Sequence, residues 1–253
     1  MSVQPIVNPH IQTFEREVNV ANQANSNYNP RVIFNAVKNM ARPVKIQNAG
    51  EKLLPRLFEL LSKNEATQES ADSVFKSICL ILNELRGNKD QKHHDRNTLK
   101  TLLKNRNNSL VFQSLYPKLL EPIMSMSSMF LATNETSIYC LSAFPSLLWF
   151  LSAMEVKGLI KENSVNHISI ETLVLQVKDA VFDSQVNVEV NVEVEYFSKQ
   201  IYFKNLPEVF EIVAMDFFFR RKLVTEKTRQ NFYTILRSLW TEDLDNSSES
   251  GRQ

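Results

Sequence analysis
Glycine is scarce in this chain: Gly50, Gly87, Gly158 and Gly251 are the only four. Loops that cradle phosphates, strained nucleophile turns and tight hairpins use glycine, because it takes positive φ freely and lets a ligand approach the backbone. Its scarcity argues against a nucleotide-fold enzyme. Cysteine is sparser still. Cys79 and Cys140 both sit inside apolar helical patterns, which points to buried thiols in a reducing compartment and not to a bridge. The first thirty residues hold no apolar run and carry Glu15 and Glu17, so neither a secretory signal nor an acid-poor transit peptide is expected. A cytoplasmic or nuclear protein, not a secreted one, follows as the expectation, and the Asn-x-Ser/Thr triplets at Asn107, Asn134 and Asn246 then carry no weight.

The strong local signatures of chemistry are missing as well. There is no G-x-G-x-x-G, G-x-x-x-x-G-K-[ST], C-x-x-C, H-E-x-x-H or G-x-S-x-G. Of the four histidines, His10 falls in a polar N-terminal stretch, His93 and His94 in a polar loop and His167 at an expected strand start. Adjacent histidines seldom converge on one ion without a tertiary partner, so a solvated loop is the expectation there, with no metal and no cofactor. Cys140 reads as packing and not as a nucleophile. No enzyme is expected.

What the chain does contain is apolar periodicity. Hydrophobic residues make up 43% of 253, enough for a core that needs no disulfide or metal support. Val32, Ile33, Ala36, Val37 and Met40 recur at helical spacing until Pro43. Leu53, Leu54, Leu57, Phe58, Leu60 and Leu61 begin a second helix with Pro55 in its first turn. A third spans about 70–86, with Gly87 as its stop, and a short one carries Leu99, Leu102 and Leu103. The segments 110–132 and 136–154, interrupted by Pro117, Pro122 and Pro145, are expected to be the central helices. The second holds nineteen residues without a charge, but its four serines, Pro145 and flanking Glu135 and Glu155 favour a buried helix over a membrane span.

From 166 the period changes. Ile168, Ile170 and 173–177 read as strand, and 186–196 alternates valine with Asn or Glu, the pattern of a half-buried antiparallel strand. Residues 199–203 are expected to pair after it. Helices at 207–222 and 225–240 close the body, and no repeat of 20–50 residues marks a solenoid. The expected fold is mainly α with a small antiparallel β element (α+β): a bundle-like body of roughly eight helices and a β-hairpin or short sheet around 167–203. Residues 1–30 are expected to be a flexible arm, 31–241 one helical domain divisible into an N-lobe 31–160 and a C-lobe 161–241, and 242–253 a disordered acidic tail.

Net charge is only +1, yet its distribution is uneven. Seven basic residues between Arg86 and Arg106 face Asp90 and Asp95, a local +5, whereas between Ile168 and Phe197 six acids face Lys178 alone, a local −5. Arg96, Lys100 and Lys104 fall at i, i+4 and i+8 on a helix, about 6 Å apart along it, a spacing that can meet successive phosphates of one strand. Arg86, Lys89, Lys92 and Arg106 flank them. A second cluster joins Phe217, Phe218 and Phe219 to Arg220, Arg221 and Lys222, followed by Lys227 and Arg229. Aromatic platforms beside cations can stack unpaired bases; the bland readings are a solvated charged face for the first cluster, and core packing with a helix dipole for the second.

These features point to a single-stranded nucleic-acid (RNA) binding protein that self-assembles, of nucleocapsid or coat type, with the N-terminal arm and acidic tail docking on neighbouring subunits. The likeness to viral nucleoproteins is one of architecture and composition, and no residue motif carries it. The alternative is a helical protein-interaction module, an adaptor or an antagonist of a host factor, that binds no nucleic acid.

Overall fold
The computed structural model describes residues 9–21, 29–40, 43–63, 68–87, 91–104, 109–160, 168–182, 192–217 and 226–240. They form the helices α1 (Pro9–Ala21), α2 (Pro30–Met40), α3 (Pro43–Ser62), α4 (Gln68–Arg86), α5 (His94–Lys104) and α6 (Ser109–Met124), then α7 (Ser128–Thr133), α8 (Glu135–Val156), α9 (Ile170–Phe182), α10 (Val192–Met215) and α11 (Glu226–Trp240).

The most apolar segment became the centre. Asn134 caps α8, its side-chain oxygen accepting from the Thr136 N–H at 2.9 Å. Cys140, Leu141, Phe144, Leu147, Leu148, Phe150, Leu151 and Met154 are all buried behind that cap. The helix is long and apolar enough to cross a bilayer, but 67% of its most apolar window is buried inside the protein. It packs against α4, α6 and α10. Phe150 stacks on Phe58 of α3, with ring centroids 5.2 Å apart, and meets Phe112 of α6 edge-on at 6.2 Å. At the other end of α8 the Gly158 N–H reaches the Glu155 carbonyl and the Leu159 N–H the Met154 carbonyl, with Gly158 at φ +68°. That left-handed stop is what the lone glycine there supplies. Gly50 has a different role: a Cβ at that position would stand 3.1 Å from both Leu85 methyls, so it lets α3 and α4 approach closely.

The expected β element is absent: among the described residues there is no strand, and eleven helices stand where roughly eight and a hairpin were expected. Residues 170–182 are helical, with Ile170, Leu173, Val174, Val177 and Val181 buried at i, i+3, i+4, i+7 and i+11. The β-branched residues suggested strand by propensity, and the helical period prevailed because it gathers them on the face turned to the core. The valine alternation runs into α10 from Val192. There Glu193 and Glu195 complement the helix N-terminus, and Lys199 reaches Glu195 at 2.8 Å across one turn. Residues 183–191, with the rest of the alternation, lie outside the described residues.

Prolines expected to open helices lie inside them instead. α3 begins at Pro43, where a missing N–H costs nothing, and Pro55 sits well inside, above the exposed Glu51 whose carbonyl loses its donor. α10 likewise begins fifteen residues before Pro207. Within the expected N-terminal arm, α1 lies against α2, with Phe14 and Val18 fully buried and Arg56 of α3 bonding Asn19 at 2.7 Å. The expected tail, 242–253, lies outside the described residues.

Candidate nucleic-acid interface
The basic residues singled out in the sequence separate into two groups with opposite environments. Arg86 ends α4, and Arg96 lies in the first turn of α5; both point at α10. Arg96 is buried and forks onto Glu211, Nη1 at 3.0 Å and Nη2 at 3.4 Å, with Glu208 a further 3.9 Å away. Arg86 donates to the Asn205 side-chain oxygen at 2.6 Å and stands 4.0 Å from Glu208. Glu208 and Glu211 are one helical turn apart, so they present two carboxylates on the face that receives both guanidinium groups. Burial lowers the Arg86 pKa from its ordinary value against the pull of Glu208 and Asp95. Burial would raise the Glu211 carboxyl, but the Arg96 fork, with His93 and Lys92 nearby, holds it below the usual carboxylate range.

Asn205 completes this seam. Pro145 has no N–H to give the Leu141 carbonyl four residues back, and the Asn205 side-chain amide supplies one at 2.7 Å. One residue, 2% exposed, therefore ties α4 to α10 and fills the gap that proline opens in α8. Asp95, also buried, accepts from Ser146 of α8 at 2.5 Å. Arg86 and Arg96 thus tie α4 and α5 to α10, while Asn205 and Asp95 make the bonds to α8. Arg86 Nη1 and Arg96 Nε are buried without a hydrogen-bond partner among the described residues, so it is burial that keeps these guanidinium groups from a phosphate.

Lys92, Lys100 and Lys104 differ: they are exposed. Arg229 on α11 is exposed too, 3.8 Å from Glu226. Lys227 also lies on α11, and its side chain is outside the described residues, as are Lys89, Arg106, Arg220, Arg221 and Lys222 altogether. Of the aromatic run, Phe217 is buried and packs on Phe232 with centroids 5.4 Å apart. Phe218 and Phe219 are outside the described residues.

Beside Lys100 opens a cleft of about 300 Å³ between α5, α8 and α10. Trp149, Ser152, Ala153 and Val156 line it from α8, Leu103 from α5, and Ile212 and Met215 from α10 with the buried Asp216 next to them, and Lys100 and Lys157 complete the lining. Trp149, Ser152, Ala153 and Val156 fall at i, i+3, i+4 and i+7, the one stripe of α8 that neighbours leave open, with Val156 62% exposed. Trp149 and Lys157 were not expected at a site. In a segment that is apolar on every side, no amphipathic signal marks the uncovered stripe. Glu208 and Glu211 were also missed; their i, i+3 spacing was the available clue to arginine partners.

His94 is buried at the start of α5, and His93 holds a left-handed φ of 59° just before it. Among the described residues no three His, Cys, Asp or Glu side chains gather at one point. Both cysteines are free and buried, and burial raises both thiols well above their ordinary pKa. No protein-family model, no curated protein and no solved structure matches the chain, so the reading of this surface rests on its own residues.

Proposed function
We propose that the protein is a non-enzymatic, self-assembling single-stranded nucleic-acid (RNA) binder of nucleocapsid or coat type, working in the cytoplasm or nucleus. The observation that supports this reading is the set of exposed lysines on α5 and the turn before it, Lys92, Lys100 and Lys104, of which Lys100 borders a cleft that Trp149 also lines. Ammonium groups on flexible stems neutralise phosphates without reading sequence, and an indole beside them offers a stacking surface to an unpaired base. The cations outside the described residues extend the same proposal to Lys89, Arg106, Arg220, Arg221 and Lys222.

The test is fluorescence anisotropy of a labelled 30-nucleotide oligomer titrated with nuclease-treated protein over a range of salt. Log affinity falls with log salt at a slope of about −0.7 per neutralised phosphate for a single strand. Lys100→Glu with Lys104→Glu is expected to weaken binding at least tenfold and flatten that slope by about 1.4. Absence of salt-dependent affinity in the parent protein refutes the reading. The interaction-module alternative draws its support from the apolar lining of the same cleft, which suits an amphipathic peptide, and it is the reading left if the oligomer does not bind.

A further inference from the structure
Tyr196 and Phe197 are adjacent on α10, 65% and 51% exposed, away from the cleft beside Lys100. The core does not account for them. Tyr202, Leu206 and Val209 are the buried residues of this stretch, and at 100° per residue they point within about 40° of the direction opposite Glu193. Phe197, Gln200 and Lys204 lie about +40°, −20° and +20° from Glu193, so these four share one stripe about 60° wide and about 17 Å long. All four are exposed. Their spacing of four, three and four residues is the alternation with which one helix presents a seam to another.

We propose that this stripe is a two-fold interface, at which α10 of one copy packs antiparallel on α10 of a second copy of the chain. The stripe is its own complement. About a centre between Ser198 and Lys199, position 193 pairs with 204 and position 197 with 200. Each Glu193 therefore meets the second copy's Lys204, and the Phe197 and Gln200 side chains of both copies form the middle layer. A two-fold contact makes every such pair twice, which gives an ion pair at each end of an aromatic centre. Tyr196 stands about 60° to one side of Glu193, where its ring can cover that layer and keep its hydroxyl in water.

Charge also selects the direction. Parallel pairing sets glutamate on glutamate and lysine on lysine, and like charges facing each other are penalised. Glu195 and Lys199 bond each other at 2.8 Å within the helix and lie outside the stripe. The length of the contact is bounded at both ends. α10 begins at Val192, and Glu211, in the same direction as Glu193, is already taken by Arg96 of α5. In the antiparallel register the second copy's Val192 lies opposite Asn205, short of that fork. An overlap of about 20 Å is at the small end of specific interfaces, so the dimer is weak and concentration-dependent.

The proposal rests on the self-assembly half of the function above and is tested without nucleic acid. Full-length protein, nuclease-treated and washed in high salt, is followed by sedimentation velocity at low salt over a concentration series. The parent is expected to dimerise reversibly. Glu193→Lys and Lys204→Glu, each alone, are expected to weaken association about tenfold or more, because like charges then meet at both ends. An equimolar mixture of these two variants is expected to associate as the parent does, since every lysine again faces a glutamate. Phe197→Ala removes the middle layer and is expected to weaken association about tenfold. Far-UV circular dichroism checks that each variant keeps its helices. A parent that stays monomeric, any of the three variants associating unchanged, or a mixture that fails to recover overturns the proposal. The oligonucleotide titration reads RNA binding separately, because none of these residues belongs to the set Lys92, Lys100 and Lys104. Protein that dimerises without binding the oligomer refutes the nucleic-acid reading alone, and protein that binds it as a monomer refutes this interface alone.

Discussion

Asn205→Ala is the substitution whose consequences the structure specifies most closely. The Asn205 side chain is 2% exposed, accepts from Arg86 at 2.6 Å and donates to the Leu141 carbonyl at 2.7 Å. Alanine removes both bonds at once. A buried polar group stranded in this way costs about 1–3 kcal/mol. The Leu141 carbonyl has no substitute donor, because Pro145 occupies the position that would supply one, so its share is near the middle of that range. Arg86 still has Glu208 within 4.0 Å and can turn toward it, which puts its share at the low end. Loss of the amide volume adds a small cavity term, and the sum is about 3 kcal/mol.

The carbonyl share can be isolated. Pro145→Ala restores an N–H to the i−4 bond of α8, so in that background the loss of Asn205 no longer strands Leu141. A double-mutant cycle by urea unfolding is expected to show Asn205→Ala costing about 2 kcal/mol less in the Pro145→Ala background than in the parent chain, with unchanged denaturant slopes. Additivity within about 0.5 kcal/mol would refute the claim that Asn205 serves the gap that proline makes. A single-variant cost below about 1 kcal/mol would refute the seam as a whole.

Arg96→Ala is expected to lower stability by about 2 kcal/mol, less than a fully buried pair because Glu211 can rehydrate, while the oligonucleotide affinity of the folded protein changes less than twofold. Lys100→Glu with Lys104→Glu is expected to do the reverse, and equal effects of both on affinity in the titration would contradict the division drawn between arginines and lysines. Glu211 has its folded pKa lowered, so its contribution is present above its unfolded value near 4.3 and is lost as pH falls through the folded one. Glu211→Gln is therefore expected to be less stable than the parent at pH 7, by under about 1 kcal/mol for a carboxylate 44% exposed, with the difference closing under acid in parallel urea titrations. Gly50→Val places methyls against Leu85 and Ile81 and is expected to destabilise by about 1–3 kcal/mol, whereas Gly50→Ala, which gains helix propensity, stays near neutral in the same assay. Cys79 and Cys140 are expected to react with a thiol reagent only at the rate of global unfolding, so a fast phase in native buffer would contradict their burial.

The helices that pattern predicts best are those whose apolar residues lie on one stripe and whose ends carry a physical stop. Val74, Phe75, Ile78, Ile81, Leu82 and Leu85 are all buried on α4, and Gly158 closes α8. The strand expectation for 170–177 fails because valine and isoleucine favour strands locally, whereas the burial of both Leu173 and Val174 beside an exposed Thr172 follows the helical period. Buried contacts decide such a segment, and propensity is the weaker force. The cleft is illegible in the sequence for the opposite reason. α8 has no polar face, so nothing local distinguishes the stripe its neighbours cover from the stripe they leave open.

The basic stripe is half legible, and helix geometry explains which half. Positions i, i+4 and i+8 do not superpose, since at 3.6 residues per turn each step of four advances about 40° around the axis. From Arg96 to Lys104 the direction turns by about 80°, enough to carry the first side chain into the seam with α10 and leave the last in water. Glu208 and Glu211, which neutralise the arginines, lie more than a hundred residues further along the chain, beyond any window that local spacing can read. The charge available to a partner on the described part of this surface is therefore carried by lysines. A lysine is a mobile point charge without the planar fork that fixes arginine on a phosphate. Binding through Lys92, Lys100 and Lys104 should accordingly be strongly salt-dependent and indifferent to base sequence, and Lys100→Arg should raise affinity modestly without altering sequence preference. A marked preference among homopolymers of equal length at equal salt would place the recognition elsewhere on the chain.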